Sequence, residues 1–148
     1  MTIWFDMDGT LNRFYDREDW LECLRAYDVT PYAEAAVMFN MSKLARYIHK
    51  VQAKGYKVGI ISWLSKIPND NYDEEVTQAK LNWLYTHLRS VVWDEIKIVR
   101  YGVPKSSFKH NDEDILFDDE QRNRDNWGKA YEPQEIFKVL KELINMDE

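Results

Sequence analysis

The sequence predicts an α/β fold, in which helices cover a parallel β-sheet. Short apolar runs alternate along the chain with longer segments of helical periodicity, a pattern typical of β–α–β units. The 148 residues are 45% hydrophobic and 14% aromatic, which is enough apolar material for the core of one domain over residues 1–148. Several apolar runs also stop at polar side chains, and the carboxyl ends of parallel strands share one edge of the sheet.

Four apolar runs predict strands, and a weaker fifth run completes the set. They cover residues 2–5, 57–61, 96–99 and 114–117, with the fifth candidate at residues 129–131. The first run stops at Asp6 and Asp8, the second at Ser62, and the fourth at Asp118 and Asp119. We therefore expect these polar side chains to meet at one edge of the sheet, where such folds bind ligands.

Helical spacing predicts the connections between the strands. One helix is expected to begin at a Ser42 cap and to end at Gly55, and another covers residues 73–88. The last helix is expected to begin near Pro133, because proline is favoured in a first helical turn. Residues 12–41 are predicted to form a small helical insert above the strand ends, with helices at 17–27 and 31–39 separated at Thr30 and Pro31.

Charge and cysteine content exclude some classes of protein. The net charge is −6 and the isoelectric point is about 5.1, so no duplex nucleic acid is expected as a partner. The single cysteine, Cys23, cannot form an internal disulfide and is expected to be a buried apolar residue. No leader or membrane-spanning segment is evident, so the expected location is cytoplasmic. The acidic end at residues 146–148 is expected to fray.

The first strand ends in a sequence suited to phosphate chemistry, Asp-Met-Asp-Gly-Thr at residues 6–10. Two nearby carboxylates repel each other, and Mg²⁺ relieves that repulsion because it prefers oxygen ligands. A carboxylate at Asp6 could attack phosphorus, and Asp8 could exchange protons with the leaving oxygen and with water. Gly9 allows the tight turn, and Thr10 can bond to the backbone of that turn. Taken alone, the motif is equally consistent with an ordinary turn after a strand.

Three later positions could complete such a site. The Ser62 hydroxyl could hold a phosphate oxygen, Lys105 could neutralise the nucleophile and the phosphate, and Asp118 could bind the metal. Asp119 could orient Lys105 or the waters around the metal. Each has an ordinary alternative, namely a capping serine, a surface lysine and an acidic loop. Two other lysines, Lys80 and Lys109, compete with Lys105, and a helix-flank contact is the expected role of Lys80.

Together, these motifs resemble the four motifs of the haloacid dehalogenase superfamily in their chain order. The resemblance covers nearly the whole chain and implies a Rossmann-like sheet of order 3-2-1-4-5. It implies Asp6 as nucleophile, Asp8 as acid and base, and Ser62 and Lys105 as phosphate binders. It also implies Mg²⁺ held by Asp6, the Asp8 carbonyl and Asp118. Asp8 at the acid/base position points to phosphatases rather than dehalogenases.

A looser resemblance concerns the subgroup and the substrate. A short insert after the first motif resembles a C1-type cap, and Ser62-Trp63 and the segment at residues 80–84 are similar to the 5′(3′)-deoxyribonucleotidase-like group. In that group the closing motif usually runs Asp-Asp-Arg-Pro, whereas residues 118–122 here read Asp-Asp-Glu-Gln-Arg. Phe14 and Tyr15 are the candidate substrate contacts, with Trp63 and Thr10 as further contacts beside the phosphate. The insert's aromatics could instead form only its own core.

These features predict a Mg²⁺-dependent phosphomonoester hydrolase that forms an aspartyl phosphate. A small phosphorylated metabolite, such as a nucleoside monophosphate, is the expected substrate. Two alternatives stay open: a non-catalytic phospho-acceptor or binding module similar to a receiver domain, and a phosphatase acting on a polynucleotide end or a protein. The sequence also leaves open whether the chain forms a homodimer.

Overall fold

A computed structural model describes residues 1–67 and 69–145 and contains a parallel sheet. Its strands are β1 (Thr2–Phe5), β2 (Lys57–Trp63), β3 (Glu95–Val99), β4 (Ile115–Phe117) and β5 (Ala130–Tyr131). The strand order is β3-β2-β1-β4-β5, and every pairing is parallel. The expected α/β sheet and its 3-2-1-4-5 order are thus confirmed, while the expected fraying at residues 146–148 lies outside the described residues.

The helices follow the predicted order with different boundaries. They are α1 (Trp20–Arg25), α2 (Thr30–Ala33), α3 (Met41–Ala53), α4 (Asp70–His87), α5 (Gln121–Trp127) and α6 (Ile136–Ile144). The predicted Ser42 cap is wrong, because the Asn40 side chain accepts a hydrogen bond from the Lys43 backbone N–H and caps α3. That helix ends beside Gly55, whose φ of +97° suits a helix C-terminus.

The insert contains less helix than predicted. Helix α2 begins at Thr30, so Pro31 occupies a first-turn position instead of separating two helices. The expected helix over residues 31–39 is therefore wrong beyond Ala33. There the chain runs back along the first motif, with the Met38 N–H donating to the Leu11 carbonyl and Asn12 bridging to Val37. Cys23, expected to be buried, is only half-buried.

The insert packs against helix α4, which also packs against the sheet. Phe14, Leu24 and Tyr32 of the insert form one apolar cluster with residues of α4, namely Tyr72, Val76 and Ala79. Two hydrogen bonds join the same elements: the Tyr72 hydroxyl donates to the Asp28 carbonyl over 3.0 Å, and the Trp83 indole donates to the Ala35 carbonyl over 2.8 Å. The insert thus shares its core with a helix that also supports the sheet.

The main core lies along the central strand. All four residues of β1 are buried, and alternate side chains enter two different clusters, as the pleat of a strand requires. Ile3 and Phe5 pack with residues of α3 and α6, whereas Trp4 packs with Leu116 and Trp127. Within the described ranges, no helix is both long and apolar enough to cross a bilayer.

Candidate active site

Asp6 and Asp118 meet at the carboxyl edge of the sheet because their strands are neighbours. The Asp6 backbone N–H donates to the Phe117 carbonyl over 2.9 Å, which continues the pairing of β1 with β4. In the same way, the Asp118 N–H donates to Tyr131 at the end of β5 over 3.1 Å. The structure therefore brings together two carboxylates that are separated by more than a hundred positions in sequence.

Asp119 joins these two carboxylates in an acidic group. One oxygen from each of Asp6, Asp118 and Asp119 lies within 4.8 Å of the others, a grouping that could hold a metal ion. Burial and repulsion from Asp118 raise the pKa of Asp6, against the opposing effect of Lys105. Desolvation and the Asp6 charge raise the pKa of Asp119 to about 8. Without a metal ion these shifts favour the protonated forms of Asp6 and Asp119, and a bound divalent cation would favour their charged forms.

Lys105 bridges the two buried carboxylates. Its ammonium lies 2.8 Å from Asp6 Oδ1 and 2.7 Å from Asp118 Oδ2, and the residue is only 4% exposed. A short 3-10 helix, Lys105–Phe108, brings it there after Pro104. Burial alone would lower the pKa of Lys105, but the two carboxylates outweigh that effect and raise it. The lysine therefore stays charged beside the candidate nucleophile, in the position expected of Lys105.

Thr10 and Gly9 shape the loop beneath the carboxylates. The Thr10 hydroxyl donates to Asp6 Oδ2 over 2.9 Å and accepts from the Asp119 N–H over 3.1 Å. Thr10 is fully buried and does not line the cavity above the site, so it fixes Asp6 and does not face a phosphate as expected. Gly9 has a φ of +80°, and a Cβ there would lie 2.3 Å from Asp119 Oδ2. Both features require glycine.

Asp8 turns away from the acidic group. Its Oδ2 lies 2.8 Å from the Lys80 ammonium, and its Oδ1 accepts from the Asn12 amide over 3.2 Å. The Asp8 carboxylate is therefore not a member of the acidic group, in which Asp119 is the third residue, and the expected metal contact through the Asp8 carbonyl stays a prediction. Asp119 makes no hydrogen bond to Lys105 in the described structure, so of its two expected roles only the orientation of waters around a metal stays a prediction.

Lys80 is a buried member of the site, so the expected helix-flank role is wrong. It is 1% exposed, and its ammonium contacts Asp8, the Ser62 hydroxyl over 2.6 Å and the Trp63 carbonyl over 2.8 Å. Lys109 is not near these groups and donates to the Trp127 carbonyl. Sequence spacing could have identified Lys80, because it lies four residues after Val76 and three before Trp83, on the buried stripe of α4.

Sequence reasoning also missed Asn123. Its side-chain amide donates to Asp118 Oδ2 over 3.2 Å, and the residue is buried in the first turn of α5. Asp118 Oδ1 accepts from the Glu120 N–H over 2.9 Å, so both oxygens of Asp118 are fixed. The signal was a polar residue five positions after Asp118 on a short helix, which is weak because most such residues are exposed.

A cavity of about 650 Å³ opens above the carboxylates. The insert contributes Phe14, Tyr15 and Trp20 to its wall, and the opposite side includes Trp63, Lys66 and Tyr101. Phe14 is 2% exposed, and its ring centroid lies 4.6 Å from that of Tyr32, so it belongs mainly to the insert core. Tyr15 is 51% exposed, which leaves its ring available to a ligand.

Trp63 forms a fixed wall of this cavity. Its indole N–H donates to the Val103 carbonyl over 2.8 Å, which fixes the ring, while the expected phosphate contact of Trp63 stays a prediction. The centroid of the Trp63 ring lies 4.9 Å from the centroid of the Tyr101 ring and 5.3 Å from the Lys105 ammonium. The neighbouring Ser62 hydroxyl accepts from the Lys80 ammonium, and Ser62 does not line the cavity.

Comparisons with known proteins support the fold. No protein-family model matches the chain, and no curated protein sequence matches it either. Among solved structures, the chain is similar to D,D-heptose 1,7-bisphosphate phosphatase from Burkholderia thailandensis, with a TM-score of 0.51 and 15% sequence identity. The match covers 84% of this chain and 69% of the other. At this identity the likeness establishes a shared Rossmann-like α/β fold.

Proposed function

We propose that the protein is a Mg²⁺-dependent phosphomonoester hydrolase with Asp6 as its nucleophile. The main support is the position of Asp6 at the floor of an open cavity, beside a buried lysine and two further carboxylates. Perturbed carboxyl groups that converge in a cleft are typical of catalytic sites. The sequence motifs and the fold shared with a protein named as a phosphatase support the same activity.

The reaction divides into two displacements at phosphorus. In the first, an Asp6 oxygen bonds to phosphorus, the ester P–O bond breaks, and Asp8 gives a proton to the leaving oxygen. In the second, water bonds to phosphorus, its proton passes to Asp8, and the bond to Asp6 breaks, which releases inorganic phosphate. Lys105 offsets negative charge at Asp6 and on the phosphoryl oxygens throughout.

The acidic group fits a magnesium ion. Asp6, Asp118 and Asp119 supply hard oxygen donors, and burial together with the neighbouring carboxylates raises the pKa values of Asp6 and Asp119. Bound Mg²⁺ would supply charge neutralisation for the phosphoryl group. Asn123 and the Glu120 N–H hold Asp118 in place for such a role.

The cavity supports a small substrate with a flat or apolar leaving group. Its volume of about 650 Å³ lies within the range of sites for small organic ligands and far exceeds the size of phosphate alone. The exposed ring of Tyr15 and the fixed ring of Trp63 are surfaces on which a ring could stack. A nucleoside monophosphate meets these requirements and agrees with the looser resemblance to the deoxyribonucleotidase-like group.

A substrate panel tests this proposal. Mononucleotides, phosphosugars, para-nitrophenyl phosphate and 5′- or 3′-phosphorylated oligonucleotides are compared, each with Mg²⁺ and with EDTA. We expect multiple turnover of mononucleotides, no turnover in EDTA, and no turnover by Asp6→Asn. The exposed Asp112→Asn variant is the matched control and should retain wild-type rates.

Each alternative gives a different result in that panel. Stable single phosphorylation of Asp6 without turnover would favour a phospho-acceptor module. Preference for oligonucleotide ends, or for a phosphoprotein added to the panel, would favour a macromolecular substrate. Full activity of Asp6→Asn would contradict the proposed nucleophile.

A further inference from the structure

Lys80 is a second buried lysine in the site, and its hydrogen-bonding capacity is used up. An ammonium group has three N–H donors, and three protein acceptors lie within 2.8 Å of Lys80 Nζ. They are Asp8 Oδ2, Ser62 Oγ and the Trp63 carbonyl. A phosphate oxygen could therefore bind Lys80 only by displacing one of these partners.

The arrangement fixes one oxygen of Asp8 and leaves proton exchange to the other. Lys80 holds Oδ2 at 2.8 Å, whereas Oδ1 has only the longer 3.2 Å contact from the Asn12 amide. Asn12 is itself anchored, because its Oδ1 accepts from the Phe14 N–H over 3.0 Å. The Asp8 side chain is thus held at both ends, and Oδ1 is the atom with capacity to take or release a proton.

The same ammonium connects three parts of the fold. It reaches from α4 to the loop after β1 and to the end of β2, and it lies 5.1 Å from the ring centre of Tyr32 in the insert. A lysine this buried is costly unless a charged partner compensates it, and Asp8 is its carboxylate partner. Lys80 and Asp8 therefore fix each other's position.

We propose that Lys80 is a positioning residue, which holds the Asp8 carboxyl so that Oδ1 can exchange a proton with the leaving oxygen. This inference rests on the proposed phosphatase function and assigns Lys80 a role distinct from phosphate binding. Lys105 occupies the position beside the nucleophile, so the two buried lysines serve different carboxylates.

Leaving-group dependence separates this role from phosphate binding. An alkyl phosphate needs a proton on its leaving oxygen, whereas para-nitrophenolate departs without one. For Lys80→Met we expect kcat/KM to fall about 10²-fold with an alkyl phosphate and less than about 5-fold with para-nitrophenyl phosphate. Using kcat/KM restricts the comparison to the first displacement. Lys138→Met, at an exposed position of α6, is the control and should change neither value.

A double-mutant cycle tests whether Lys80 acts through Asp8. In an Asp8→Asn background, Lys80→Met should change kcat/KM for the alkyl phosphate less than about 2-fold, because the group that it positions is already disabled. Lys80→Arg keeps the charge, and its kcat/KM for the alkyl phosphate should be at least about tenfold higher than that of Lys80→Met. If Lys80→Met does not fold, the leaving-group comparison is made with Lys80→Gln, which removes the charge but keeps N–H donors for the buried acceptors.

The outcomes distinguish this inference from the proposed function. An equal loss of kcat/KM with both substrates, or a full effect of Lys80→Met in the Asp8→Asn background, would overturn the positioning role while the phosphatase activity stands. Absence of turnover in the wild-type protein with every substrate would overturn the proposed function, and this inference with it.

Discussion

Strand β4 has an aspartate at each end, and the two aspartates have opposite environments. Asp114 precedes the strand, is fully buried, and accepts hydrogen bonds from the Thr2 and His110 backbone N–H groups over 2.9 and 2.8 Å. The Trp4 indole lies 3.4 Å from the same carboxylate. Burial would raise the pKa of Asp114, but these donors outweigh it and lower the pKa.

Asp118, at the other end, faces further carboxylates. Together with Asp6 and Asp119 it forms the acidic group, in which the pKa values of Asp6 and Asp119 are raised. The amino edge of the sheet thus compensates a buried carboxylate with N–H donors, whereas at the carboxyl edge burial and neighbouring carboxylates outweigh the effect of Lys105 on Asp6. We therefore expect Asp114 to contribute to stability and, under the proposed function, Asp118 to contribute to activity.

The largest expected effect is on activity, at the carboxyl edge. Asp118→Asn should lower kcat/KM at least about 10²-fold, because it removes negative charge that would hold the metal. It should also abolish the rise in melting temperature that Mg²⁺ gives to the wild-type protein. Steady-state kinetics and thermal unfolding measure the two effects. Unchanged stabilisation of Asp118→Asn by Mg²⁺ would contradict a metal role for this aspartate.

The next effect is on stability, at the amino edge. Asp114→Ala leaves the buried donors of Thr2 and Trp4 and the partly buried His110 N–H without a partner, so the free energy of unfolding should fall by about 2–4 kcal/mol. Urea denaturation measures this change, and the rate per folded molecule should stay at the wild-type value. Asp112→Ala, at an exposed position of the same loop, is the matched control. A loss of rate without loss of stability in Asp114→Ala would contradict the division between the two edges.

A comparison of Gly9→Ala with Gly102→Ala distinguishes the cost of backbone strain from the cost of crowding around Asp119. Gly9 and Gly102 have similar φ values of +80° and +86°, but only Gly9 has neighbours that a Cβ would meet. Each change to alanine should cost about 1 kcal/mol of backbone strain, and Gly9→Ala should cost about 1–2 kcal/mol more. Gly9→Ala should also lower activity, because Asp119 must move. An equal loss of unfolding free energy in the two variants would show that the Asp119 side chain moves aside at no cost.

The smallest expected effect is a pH dependence of stability in the metal-free protein. The pKa of Asp119 is about 8 in the folded state and near 3.8 when unfolded, so the folded state binds more protons between these values. Stability should therefore fall as the pH rises from about 4 to about 8. Solvent screens this exposed carboxylate and keeps the effect small. Thermal unfolding in EDTA measures it, and Asp119→Asn should flatten the curve. If the pH dependence of stability were unchanged in Asp119→Asn, groups other than Asp119 would be responsible for it.

The sheet and the ends of its strands could be predicted from local sequence alone. Apolar runs that end in carboxylates placed Asp6 and Asp118 at one edge, and the resemblance supplied the strand order that the structure confirms. Both features follow from general properties of parallel sheets. The contact between Asp6 and Lys105 agrees with the same resemblance.

The remaining contacts depend on packing that no local pattern specifies. Lys80 has the side chain of a surface residue, and only the position of α4 shows that its ammonium ends among three acceptors. The carboxylate beside Asp6 and Asp118 is that of Asp119, whereas the Asp8 carboxylate faces Lys80, and only the three-dimensional packing shows this difference. Asn40 and Ser42 are both good caps, and the chain direction before α3 selects Asn40.

Helix α4 carries both the support of the insert and the lysine that contacts Asp8. Tyr72, Val76 and Ala79 pack against the insert, and Lys80 follows Ala79 directly. Under the proposed function, substitutions at these buried residues would therefore also disturb the contact between Lys80 and Asp8. New substrate preferences are more accessible through the exposed rim at Tyr15, Leu21 and Tyr101, where substitutions leave the shared helix untouched.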